Sequence, residues 1–149
     1  MSEQQKSVKL GEIIQEFNLE ILRTAPDYEN VPLRALDINR PGLPLTGFFE
    51  HFDTERLLLI GLTEHTYLSD LTPEQRRERF DRLLAYPVPA LILTRGLQPS
   101  AECMEMAEKH ARTVLRTRSR TAVFVSSLIS SLYNRLAPQI PKSGVMMEV

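Results

Sequence analysis

The sequence predicts an α/β domain with a mainly parallel sheet flanked by helices. Three observations carry this. The apolar runs at 57–62 and 90–93 are near-continuous rather than alternating, as in strands buried on both faces. Between such runs lie stretches whose apolar residues recur every three or four positions, the spacing of helices packed on a sheet. Strand and helix signals alternate four or five times, the pattern of a parallel sheet with helical crossovers.

The elements follow in order. Leu10, Ile13, Ile14 and Phe17 give residues 8–17 one helical face, and Asn18 suits a left-handed stop. Residues 19–22 read as a short strand, 24–31 as a polar loop with Pro26, and 33–38 as a second strand. Asn39 or Arg40 is expected to precede a short helix with Pro41 in its first turn, where the missing N–H costs nothing. Residues 57–62 form a buried strand, and Thr63 is the expected cap of a short helix reaching Leu71. Thr72-Pro73-Glu74-Gln75 is the sharpest local signal, with an N-cap threonine, a first-turn proline and a returning glutamine. The helix it opens runs to about Leu84, with Phe80, Leu83 and Leu84 inward. After the strand at 90–93, Ser100 caps a helix to His110, and 113–115 form a strand. Ser119 or Thr121 starts a last helix with Phe124, Leu128, Leu132 and Leu136 in one stripe. Residues 137–144, with Pro138 and Pro141, read as a linker, and 144–149 as the start of a strand.

Composition narrows the function classes. The chain has 149 residues, which suits one domain, and it is 42% hydrophobic and 25% charged, as folded proteins are. Its net charge of -1 gives no overall bias toward nucleic acid or anionic lipid, so neither is an expected partner. The apolar runs are too short to span a bilayer, and the polar amino terminus lacks a signal core. Cys103 is the single cysteine, which fits a reducing compartment. The expected location is the cytoplasm.

Three stretches together resemble the N-terminal domain of the HPr kinase/phosphorylase family. They are Asp37-Ile38-Asn39-Arg40-Pro41-Gly42-Leu43 continuing through Leu45-Thr46-Gly47-Phe48-Phe49, then Glu55-Arg56-Leu57-Leu58-Leu59-Ile60-Gly61 with Thr63-Glu64, then Pro89-Ala90-Leu91-Ile92-Leu93-Thr94-Arg95-Gly96-Leu97 with Pro99. Arg116-Thr117-Arg118-Ser119 fits the opening of the family's next helix. The resemblance covers residues 8–149 and implies a fold similar to the N-terminal domain of Mur ligases.

The resemblance also implies a function. The family's enzyme is a cytoplasmic homohexamer in carbon catabolite regulation. It uses ATP or pyrophosphate to phosphorylate a serine of the phosphocarrier HPr, and it removes that phosphate. Its P-loop, ATP and Mg2+ belong to a C-terminal catalytic domain of the same polypeptide. On this basis residues 1–136 form the N-terminal domain and 137–149 lead toward the P-loop kinase domain, so this chain holds no cofactor. The family's usual His-Gly pair before the P-loop strand is Ser143-Gly144 here, so the position of the treated-as-catalytic histidine is a serine. The expected role is a regulatory or assembly domain that is inactive alone. The alternative is a stand-alone module that senses an anion or nucleotide, or binds protein, without any kinase domain.

The residues themselves agree with an inactive chain. The glycines at 11, 42, 47, 61, 96 and 144 are scattered, and no Gly-Lys-Ser/Thr exists to cradle phosphates. His51, His65 and His110 form no ligand spacing with one another or with Cys103. They read as surface histidines, and Cys103 as core rather than nucleophile. The remaining candidates are cationic. Arg116, Thr117, Arg118 and Ser119 lie in a basic run with Arg112 and Arg120, around a strand end and a helix start where anions bind. Arg40 and Arg95 both follow strands, at the carboxyl edge where ligands of open α/β sheets sit. The plainer reading of all six is a solvated or structural one.

Overall fold

The computed structural model describes residues 7–34, 38–39 and 56–136. Leu57–Ile60 (β5), Leu91–Leu93 (β6) and Val114–Arg116 (β7) form the middle of a five-stranded sheet, flanked by Ile38–Asn39 (β4) and Glu20–Arg23 (β2). The order is β2-β7-β6-β5-β4. Strands β4 to β7 run parallel, and only β2 is antiparallel, to β7. A separate two-stranded ladder pairs Val8–Lys9 (β1) with Pro32–Leu33 (β3).

The apolar runs are continuous because the sheet is covered on both faces. Successive side chains of a strand point to opposite faces. Leu57 and Leu59 enter one core with Ala90, Ile92 and Leu115, while Leu58 and Ile60 enter the other with Leu91, Leu93 and Val114. The first core is closed by Leu10–Phe17 (α1) and Thr121–Leu136 (α5). The second is closed by Leu62–Ser69 (α2), Pro73–Leu84 (α3) and Ala101–His110 (α4). The crossovers from β5 to β6 and from β6 to β7 therefore stay on one face, and α5 crosses to the other.

Local chemistry sets the helix boundaries. Thr72 Oγ1 accepts from Gln75 N at 3.1 Å, and Gln75 Oε1 accepts from Thr72 N at 3.0 Å, closing the predicted capping box of α3. Ser100 Oγ accepts from Cys103 N at 3.1 Å and caps α4. Asn18 ends α1 at φ 52, the left-handed conformation expected of it. In α5, Phe124, Leu128 and Leu132 are buried, and Phe124 meets Phe17 of α1 edge to face at 5.5 Å.

Three expectations are corrected. The helix at 8–17 starts at Leu10, because Val8 and Lys9 pair with β3 first. The strand expected over 33–38 is two strands: Leu33 pairs with Val8 in the small ladder, and Ile38 pairs with Leu57 in the main sheet. A local strand pattern does not name its pairing partner, so the change of sheet had no local signal. The cap of α2 is Gly61, not Thr63. The turn out of β5 is immediate, and the buried Glu64 carboxylate accepts the Gly61 N–H at 2.9 Å from three residues on. The predicted helix after Pro41 and the linker at 137–144 lie outside the described residues.

Candidate functional site

The parallel strands deliver their following loops to one edge of the sheet, its carboxyl edge. Two of these loops lock together there. Arg95 N donates to Ser119 O and Gly96 N to Thr117 O, both at 2.9 Å, and Thr117 N donates to Leu93 O at 2.8 Å. The turn after β6 needs two left-handed residues, Arg95 at φ 59 and Gly96 at φ 65. Glycine takes that conformation without strain. Beneath the turn, the hydroxyls of fully buried Thr94 and of Thr121, at the start of α5, lie 2.7 Å apart. The loop from β6 and the first turn of α5 thus form one unit.

Arg116 closes the side of this unit. Its Nε and Nη2 reach the two carboxylate oxygens of Glu20 at 3.0 and 2.8 Å, and its Nη1 donates to Leu97 O at 3.3 Å and Gln98 Oε1 at 3.2 Å. The bidentate hydrogen bonds from Arg116, together with its charge, hold the Glu20 carboxyl below the usual carboxylate range. They hold the Arg116 guanidinium above its ordinary value. All of the Arg116 donor nitrogens are therefore engaged within the fold.

The other predicted residues differ in role. Thr117 Oγ1 accepts from Ser119 N at 3.2 Å, an internal turn bond. Arg95, Arg118 and Ser119 are exposed. Thr117, Arg118 and Ser119, with Arg116, line one wall of a cleft of about 470 Å³ whose other wall is Phe17, Asn18, Leu19 and Glu20. Arg95, Arg118 and neighbouring Arg120 make no close ion pair among the described residues, although the Arg118 charge also helps to lower the Glu20 carboxyl, whereas Arg76, Arg77, Arg79, Arg116 and Arg135 each meet a carboxylate. The structure thus brings Arg95 together with the segment 116–119. Arg40 and Ser143 lie outside the described residues, as does His51.

Two participants carried little sequence signal. Glu20 opens a strand whose partner lies 96 positions away, and nothing local marks it. Thr94 sits at the end of an apolar run, where its threonine identity alone does not announce a hydroxyl tie. Among the described residues, no group of three or more His, Cys, Asp or Glu side chains is placed to hold a metal ion. Cys103 is buried in the second core, and burial pushes its thiol up to about 12. Among the described residues no helix is long and apolar enough to cross a membrane.

A mostly parallel sheet covered on both faces by helices, with a basic carboxyl edge, defines a three-layer α/β domain. The chain belongs to the family described as HPr Serine kinase N terminus, which matches residues 8–132. It is 38% identical over 140 residues to an HPr kinase/phosphorylase of Caldicellulosiruptor bescii, covering 94% of this chain and 45% of that protein. It is 39% identical over 144 residues to the HPr kinase/phosphorylase of Caldanaerobacter subterraneus, covering 97% of this chain and 47% of that one. The chain spans about half the length of the curated relatives it matches. Among solved structures it is similar to the CBS and DRTGG domains of the regulatory region of Clostridium perfringens pyrophosphatase, crystallised with the activator diadenosine tetraphosphate. That match has a TM-score of 0.55 and 19% identity, and covers 87% of this chain and 47% of the other. It is a likeness of fold.

Proposed function

We propose that this chain is the regulatory or assembly domain of a bifunctional HPr kinase/phosphorylase and transfers no phosphate by itself. One observation carries the reading: the chain aligns along nearly its whole length with under half of the HPr kinase/phosphorylases of Caldicellulosiruptor bescii and Alkaliphilus metalliredigens. The remainder of such a polypeptide would supply the P-loop, ATP and Mg2+, and would act on HPr within a cytoplasmic homohexamer in carbon catabolite regulation. Phosphoryl transfer needs a phosphate cradle and a positioned metal, and this sequence has no Gly-Lys-Ser/Thr turn. The reading is tested by incubating the chain with HPr, ATP and magnesium. The expected result is HPr of unchanged mass. A phosphoserine on HPr would overturn it.

A second reading is favoured by Arg95, Arg118 and Arg120, which make no close ion pair among the described residues. Three cations on adjoining loops, beside the first turn of α5, suit an anion or nucleotide that the domain would sense. Arg116 would act here by fixing the wall of the cleft, because its own donors are engaged with Glu20, Leu97 and Gln98. Calorimetry against pyrophosphate and ATP tests it, with Arg118→Glu as the control. Heat that saturates and vanishes in the variant supports the reading, and no heat with either compound ends it.

A further inference from the structure

A second cleft, of about 570 Å³, opens at the opposite, amino edge of the sheet. It lies between the end of β2, the approach to β3 and the loops that enter β6 and β7. Its volume falls in the range of small-molecule sites. Pro26, Pro32, Pro87 and Pro89 line it. Each has a fixed φ and no N–H, so the walls are stiff, apolar and poor in donors. Among the described residues no acidic side chain lines this cleft, although Asp and Glu outnumber Lys and Arg in the chain, 19 to 18.

The charged lining residues are Arg34 and Arg112. Arg112 is partly buried; its Nε donates to Leu84 O at 2.8 Å and its Nη2 to Ala85 O at 3.4 Å, the last carbonyls of α3. No bond engages its Nη1, and no carboxylate pairs with it among the described residues. Burial lowers its pKa with no opposing charge to offset the loss of water. The helix-end carbonyls offset that cost only in part. Arg34 is exposed on the other side of the same cleft and has no carboxylate partner among the described residues either. A stiff, largely apolar slot that carries two guanidiniums and, among the described residues, no carboxylate is complementary to an anion on an apolar frame.

We propose that this cleft binds a small organic anion, with Arg34 and Arg112 taking its carboxylate or phosphate and the proline walls taking its apolar body. The site is separate from the carboxyl-edge cleft and does not depend on the kinase reading. The test is an amide NMR titration of the isotope-labelled chain with benzoate, phenyl phosphate and, as the uncharged probe, benzyl alcohol. Saturable shifts of the Val88, Arg112 and Thr113 amides with benzoate or phenyl phosphate are expected, and the tighter of the two fixes the anionic group. Arg34→Glu, at an exposed position, should weaken binding at least tenfold, while Arg118→Glu at the far edge should leave it unchanged. The proposal is overturned if neither anion saturates, if benzyl alcohol binds as well, if the shifts gather at Arg118 and Ser119 instead, or if Arg34→Glu binds like the parent.

Discussion

Arg116 and Glu20, 96 residues apart, sit directly opposite each other on β7 and β2 and are joined by two hydrogen bonds of 3.0 and 2.8 Å. The pair holds the antiparallel strand β2 against the edge of a sheet whose other described strands run parallel. It also fixes the guanidinium against the loop that follows β6, through Leu97 O and Gln98. A residue that looks like an anion binder in the sequence is thereby a brace between the sheet and the candidate site.

This brace has a pH signature. The Glu20 carboxyl is held below its ordinary range by Arg116, so its contribution to stability is fully present above the unfolded carboxylate pKa of about 4.3. It is lost as pH falls through the lower folded value. Glu20→Gln should therefore lower the urea midpoint near neutral pH slightly. It should also make the midpoint less sensitive to acid between about pH 5 and 3. Equal acid sensitivity in the two proteins would show that the pair is not formed in solution.

Ile92 is fully buried at the centre of the sheet and faces the core closed by α1 and α5. Ile92→Ala should cost about 2–5 kcal/mol, read from urea unfolding at constant slope. A loss below about 1 kcal/mol would mean that the helices do not cover that face as described.

Cys103 lies in the opposite core with its thiol pushed up to about 12 by burial. Little thiolate exists at pH 8, and access is blocked. Iodoacetamide should therefore modify the folded chain more than about a hundredfold more slowly than the chain in concentrated urea, as followed by mass. Equal rates would contradict the packing of α4 on the sheet.

The local features were legible in the sequence because their causes are local. The Thr72 capping box, the Ser100 cap, the Asn18 stop and the strands expected at 57–62 and 90–93, which run over 57–60 and 91–93, each rest on residues within a few positions of one another. Features that depend on distant partners were not legible. Leu33 and Ile38 belong to different sheets although one stretch, 33–38, reads as a single strand. At the site, the basic character of 116–120 was visible, but not the division of labour within it. Arg116 is engaged because Glu20 happens to stand opposite, while Arg118 and Arg120 make no close ion pair among the described residues. The amino-edge cleft gave no sequence signal either, since its prolines come from two stretches, 26–32 and 87–89, far apart in the chain.

The central claim, that this domain governs the assembly or control of an HPr kinase/phosphorylase, is most directly tested by transplantation. In the Caldicellulosiruptor bescii relative, the stretch matching this chain would be deleted, or replaced by this chain, and solution mass and HPr phosphorylation measured together. The account predicts that deletion changes the oligomer or the regulation of activity and that the graft restores it. A deleted protein with unchanged mass, rate and regulation would contradict it.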